Sequence, residues 1–134
     1  MDPEKVALPF QEESFAVVFL ISVFTHFLPP TAEQYFREIH RVLRPAGKCL
    51  ITMFTKERYD PGRSVIPLRS VLNEDCRCWD SSQPTKAVAF SGRLIERLAA
   101  KSKLRIHTMA PGSWDGQTTA SYLHDMYVFE RSSG

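Results

Sequence analysis

His26 is the side chain best placed by sequence to do chemistry. It closes an uncharged run, Ser14 to Thr25, and precedes Pro29 and Pro30. An imidazole has an ordinary pKa of about 6.5, so there it could take a proton from a substrate hydroxyl or amine. The alternative is a packing or capping histidine in the loop before Pro29. Cys76 and Cys78 form a Cys-x-Cys pair. Zinc sites are normally built on Cys-x2-Cys with two further ligands, and His107 and His124 would join only by coincidence. No metal site is expected, and the pair reads as surface or lid cysteines. Cys49 reads as a small core residue. Tyr59, Trp79 and Trp114 are loop aromatics that either line a pocket or pack a loop onto a sheet, with packing the favoured reading. His40 is expected to be solvated. Asp125 interrupts an otherwise apolar segment, and the sequence offers no account of it.

These residues need elements to hold them. Ala16 to Ser22 is apolar on both faces, as a strand buried in a parallel sheet would be. Thr31 and Gln34 form a capping-box pattern. Ala32, Tyr35, Phe36, Ile39, Val42 and Leu43 then recur at helical spacing, with Arg41 and Arg44 at the negative end. Pro45-Ala46-Gly47 stops the helix, and Cys49 to Phe54 reads as the next strand. This is a strand–helix–strand crossover, which implies a parallel pair. From 56 to 88 the periodicity fades, with a short helix expected over Val65 to Leu72. A long insertion of this kind suggests a lid. Ser91 is a candidate N-cap for a helix carrying Leu94, Ile95, Leu98 and Ala99. Leu104 to Met109 and Tyr122 to Phe129 read as strands, joined through a turn at Pro111 to Gly116.

The stretch from Leu8 to Phe54 resembles the middle of the class I S-adenosylmethionine-dependent methyltransferases. Ser22-Val23-Phe24-Thr25-His26 and Arg41-Val42-Leu43-Arg44-Pro45 carry that resemblance most specifically. It implies an α/β fold, a partial Rossmann-like methyltransferase sheet. Its strands would be equivalent to 4-5-7-6, the last in chain order antiparallel, with flanking helices in one domain over 1–134. It also implies S-adenosylmethionine as cofactor, with Ser22, Val23 and Phe24 at the cofactor-facing strand end and His26 toward the methyl acceptor. The chain departs from the family pattern at three places. Phe15-Ala16 stands for Phe-Asp, Pro45-Ala46-Gly47 for Pro-Gly-Gly, and Lys103 for a glycine before the sixth strand. The family's glycine-rich cofactor turn and ribose-binding acid belong upstream of Leu8 and are not among these 134 residues. Ligands of open α/β sheets sit outside the strand carboxyl ends where strand order reverses. Only one wall of that crevice is present, so weak or no cofactor binding is expected of this chain by itself.

At 134 residues and a net charge of +2, with basic residues scattered, nothing favours nucleic acid. No apolar run approaches the roughly 18 residues of a membrane span. No basic-then-apolar leader is seen, and three cysteines fit a reducing, cytoplasmic setting. Without a first strand beside it, Ala16 to Ile21 becomes an apolar sheet edge, which demands cover. A homodimer through that edge is the preferred solution. A complementing chain, or residues 1 to 10 folding back, are the others. Two functions follow: a methyltransferase-type enzyme piece acting on a small molecule, or a non-catalytic dimerising or partner-binding module derived from one.

Overall fold

The computed structural model describes residues 6–132. Strand β1 (Phe15–Leu20) pairs in parallel with the long strand β2 (Leu43–Thr55) through helix α1 (Pro29–Val42). Strand β7 (Asp125–Arg131) runs antiparallel between β2 and β6 (Leu104–Ala110). The spatial order β1-β2-β7-β6 is therefore the 4-5-7-6 arrangement expected from the sequence, with the last strand reversed. Helix α2 (Gly92–Lys101) leads into β6.

Both helices lie on one face of this sheet. Phe36 and Ile39 of α1 and Ile95, Leu98 and Ala99 of α2 join Cys49, Ile51, Met53, Tyr127 and Phe129 in the main core. Phe36 meets Phe24 and Phe129 edge-on, with ring centroids 5.0 and 5.1 Å apart, a favoured aromatic geometry.

Helix α1 starts earlier than the capping-box pattern predicts. Leu28 is its N-cap, and Pro29 and Pro30 fill the first helical positions. Proline's fixed φ is ready-made for those positions, and its missing N–H costs nothing there. Thr31 is thus inside the helix and caps nothing. Ser91 does cap α2, its Oγ accepting from Leu94 N at 3.1 Å.

The 56–88 segment is more ordered than its sequence suggests. Strands β3 (Ser70–Asn73), β4 (Cys76–Cys78) and β5 (Val88–Phe90) form an antiparallel unit, and β5 joins β2 in parallel at Phe54 and Thr55. Val65 to Leu72 holds no helix; Pro67 sits in its middle and the chain runs extended into β3. Phe54, Leu68, Ala87, Ala89 and Trp114 form a second core under this unit. Cys76 and Cys78 are fully buried in the main core, not at a surface, because alternate residues of β4 face inward.

Two departures from the family pattern have a structural cost. Ala46 has φ 65° and Lys103 φ 59°, the left-handed region where glycine is at ease. Lys103 directly follows Ser102, the C-cap of α2, which is the position where glycine ordinarily ends a helix.

Candidate functional site

The carboxyl ends of β1 and β2 mark the candidate site. β1 stops at Leu20, and Ser22 turns the chain at φ 60°. That turn is held by Ser22 N donating to Thr52 Oγ1 of β2 at 2.7 Å. A single 3-10 turn, Phe24–His26, follows. The four sequence candidates then separate. Ser22 and His26 are exposed and Val23 is half-buried. Phe24 is only 2% exposed, with its ring against Phe27, Tyr35 and Phe36. Its side chain is core, so only its backbone can face a ligand.

His26 Nδ1 lies 3.0 Å from the carbonyl oxygen of Thr85. A carbonyl only accepts, so Nδ1 carries the hydrogen and Nε2 is left as the acceptor. That contact also ties the histidine to the 56–88 segment. His124 approaches from the start of β7, stacked on Phe54 at 5.0 Å. Burial pushes its pKa below the ordinary value, and the nearby His26 pushes the same way against the opposing pull of Asp125.

Behind this surface lies a buried polar cluster that the sequence did not announce. Asp125 is wholly buried. Its Oδ1 accepts from Gly112 N at 2.9 Å and its Oδ2 from Thr55 N at 3.0 Å. Arg58 Nε sits 3.0 Å from Asp125 Oδ1, a charge contact without hydrogen-bond alignment. Arg58 Nη2 lies 3.2 Å from Asp115 Oδ2 and donates to Gly112 O at 2.6 Å. Burial would raise the Asp115 carboxyl, but the backbone N–H groups of Thr118 and Gln117, the Thr118 hydroxyl and Arg58 outweigh it and hold the pKa low. Tyr127 OH and Thr55 Oγ1 share a hydrogen bond of 2.6 Å beside them. Gly112 permits the arrangement, since a Cβ there would meet the carbonyls of Leu123 and His124 at 2.3 Å. The one sequence signal was Asp125 breaking an apolar strand, and its partners were invisible.

The loop aromatics pack rather than line a cavity. Trp114 is fully buried against Phe54 and Tyr59, and Trp79 carries Arg69 and Lys86 over its ring. His40 is half-buried rather than solvated, and burial followed by Arg131 and Lys103 lowers its pKa. Among the described residues no cluster of three His, Cys, Asp or Glu side chains could hold a metal. No helix among them is long and apolar enough to cross a membrane. Three concavities of about 200, 390 and 360 Å³ are lined by groups that include Arg37 and His40, Glu12 and Arg41, and Lys103 and Glu130. None of them includes Ser22, Val23, Phe24 or His26.

Comparison with known proteins bears on the fold. The family described as "Methyltransferase domain" matches residues 1–51. A S-adenosylmethionine-dependent methyltransferase from Methanosarcina mazei superposes with TM-score 0.67 at 15% identity, covering 100% of this chain and 66% of that one. A protein from Pyrococcus horikoshii OT3 gives 0.61 at 22% identity, covering 98% and 57%. The 1,6-didemethyltoxoflavin-N1-methyltransferase of Burkholderia thailandensis, solved with 1,6-didemethyltoxoflavin and S-adenosylhomocysteine, gives 0.59 at 14%, covering 97% and 48%. The chain thus spans about half to two thirds of the length of these proteins.

Proposed function

We propose that this chain, which has the fold of the C-terminal part of class I S-adenosylmethionine-dependent methyltransferases, serves as the acceptor-side wall of a methyl-transfer site. The observation that carries the reading is the Ser22 turn at the carboxyl end of β1, exposed and locked to Thr52 of β2. S-adenosylmethionine would lie against Ser22, Val23 and the backbone of Phe24. A small-molecule acceptor would approach beneath the 56–88 segment, which acts as a fixed cover. His26, with Nε2 free to accept, would take the proton released when an acceptor hydroxyl or amine is methylated. Methyl transfer depends mainly on aligning the acceptor with the sulfonium methyl, so this base supplies the smaller share of the rate.

One wall encloses far less of a ligand than the roughly 70–90% typical of small-molecule sites. Affinity from this chain alone is therefore weak, and a second segment beside β1 is needed for turnover. The test is titration of the chain with S-adenosylhomocysteine, followed by backbone amide NMR and by calorimetry. Saturable shifts centred on Ser22 to His26 support the reading. Shifts elsewhere, or none, sink it. A second reading, a non-catalytic module that binds a partner through β1, is favoured by the exposed apolar edge itself.

A further inference from the structure

The end of the sheet opposite the candidate site carries a small basic cavity. Helices α1 and α2 both finish there, where β2 and β6 begin. The cavity measures about 200 Å³ and is lined by Arg37, His40, Lys101, Ser102 and Lys103. A single water needs only about 10–15 Å³ of such space, so an ion of phosphate size fits with water around it.

Ser102, the C-cap of α2, is 6% exposed, and its Oγ has no hydrogen-bond partner among the described residues. Buried hydroxyls nearly always have one, so an orphan calls for an explanation. The helix ends do not supply it, because their groups are engaged elsewhere. Ser102 N donates to the carbonyls of Leu98 and Ala99, and Lys103 N to that of Ala100. At the end of α1, Arg131 donates to the carbonyls of His40 and Leu43, and Glu13 N to that of Arg41.

One carboxylate answers the cations of the cavity. Glu33 lies 2.5 Å from Lys101 Nζ and 3.9 Å from Arg37 Nη2. That leaves an excess of positive charge, since Lys103 forms no ion pair among the described residues. The excess is felt at His40, whose pKa is lowered first by burial and then by Arg131 and Lys103.

We propose that this cavity binds a phosphate group, with Ser102 Oγ donating to a phosphate oxygen and Arg37, Lys101 and Lys103 supplying the charge. Lys103 holds φ 59° at the position where glycine ordinarily ends a helix, so a cation is kept here at a cost in backbone strain. The three cations are exposed, and each contributes on the scale of a surface ion pair, so the affinity is in the millimolar range. The site lies away from Ser22 to His26 and stands apart from the cofactor reading.

Amide NMR of the full chain, titrated with inorganic phosphate at an ionic strength held constant with sodium chloride, tests it. The expected result is saturable shifts centred on Arg37, His40 and Lys101 to Lys103. Ser102→Ala changes no charge, so it reads contact with the hydroxyl rather than the field of the cations. It weakens binding at least about twofold and leaves the urea midpoint no lower, because the hydroxyl it removes had no partner. Lys103→Gly weakens binding while raising the thermal midpoint, which separates the loss from unfolding. Glu33→Gln tightens binding by removing the competing carboxylate. Glycerol 3-phosphate distinguishes the two sources of the group: tighter binding than phosphate supports a phosphorylated small molecule, and equal or weaker binding supports the free ion. No saturable shift, shifts centred elsewhere, a Ser102→Ala variant that binds as well as the parent, or a Glu33→Gln variant that binds no more tightly overturns the proposal.

Discussion

Asp125→Asn tests the buried cluster that braces the carboxyl end of the sheet. Asp125 is a charge with no exposure, holding two backbone donors and facing a guanidinium. An asparagine keeps the shape and one acceptor oxygen. Its amide nitrogen must then face either Gly112 N–H or Thr55 N–H, donor against donor. One orphaned buried donor costs about 1–3 kcal/mol. Arg58 also loses one of its two carboxylates but keeps Asp115 at 3.2 Å, so the full 3–5 kcal/mol of a broken buried pair is not reached on this account. The expected loss is about 2–4 kcal/mol, a large part of the 5–15 kcal/mol that holds a typical domain together. Arg58→Met removes the cation from the other side. The two substitutions share one network, so their effects fall short of or exceed additivity by about 0.5–3 kcal/mol. Urea unfolding at one fixed protein concentration, with both singles and the double variant, measures this. A loss below about 1 kcal/mol for Asp125→Asn, or strict additivity, would refute the view that the cluster acts as a unit.

Three further outcomes are expected. Ala46→Gly and Lys103→Gly each relieve a left-handed residue and raise stability by about 0.5–1 kcal/mol, less than the full strain because glycine is costlier to order; thermal midpoints read the gain. The depressed pKa values of His40 and His124 mean that the unfolded chain takes up protons near 6.5 that the fold refuses. Stability is accordingly full above about pH 6.5 and falls as pH drops from there through the folded values, and His124→Gln flattens the profile of urea midpoint against pH. The cysteines resist a thiol reagent until the protein unfolds. Burial lifts Cys49 to about 12 and, with Asp75 beside it, Cys76 to about 11, so fast labelling of the native chain would contradict the buried β4.

The strand–helix–strand unit was legible because its signals are local and periodic. An unbroken apolar run, two prolines and a helical stripe identify β1, α1 and β2 without tertiary information. Lys103 and Ala46 were equally legible as departures, and the structure supplies their meaning as strained backbone. The 56–88 segment was not legible. Strands of three and four residues, as in β3, β4 and β5, are too short to show a period, and Pro67 alone does not tell a loop from a bent strand. Cys-x-Cys looked like surface because nothing local reveals which face of a three-residue strand is covered. Asp125 was visible as an anomaly, yet its explanation lies with Arg58, Gly112 and Thr55, which meet it only in the folded chain.

The two faces of the sheet differ in what they require. On the helix side, Phe36, Ile39, Ile95 and Phe129 close a core that needs nothing more. On the other side Val17, Phe19 and Ile21 stay wet. β1 and β2 are a parallel pair, and parallel pairs are ordinarily covered on both faces. The candidate cofactor wall, Ser22 to His26, adjoins that same bare edge. On the proposed reading, what lies beside β1 decides whether the crevice has its second wall. A segment that supplies the opposite wall of the crevice would complete a cofactor site.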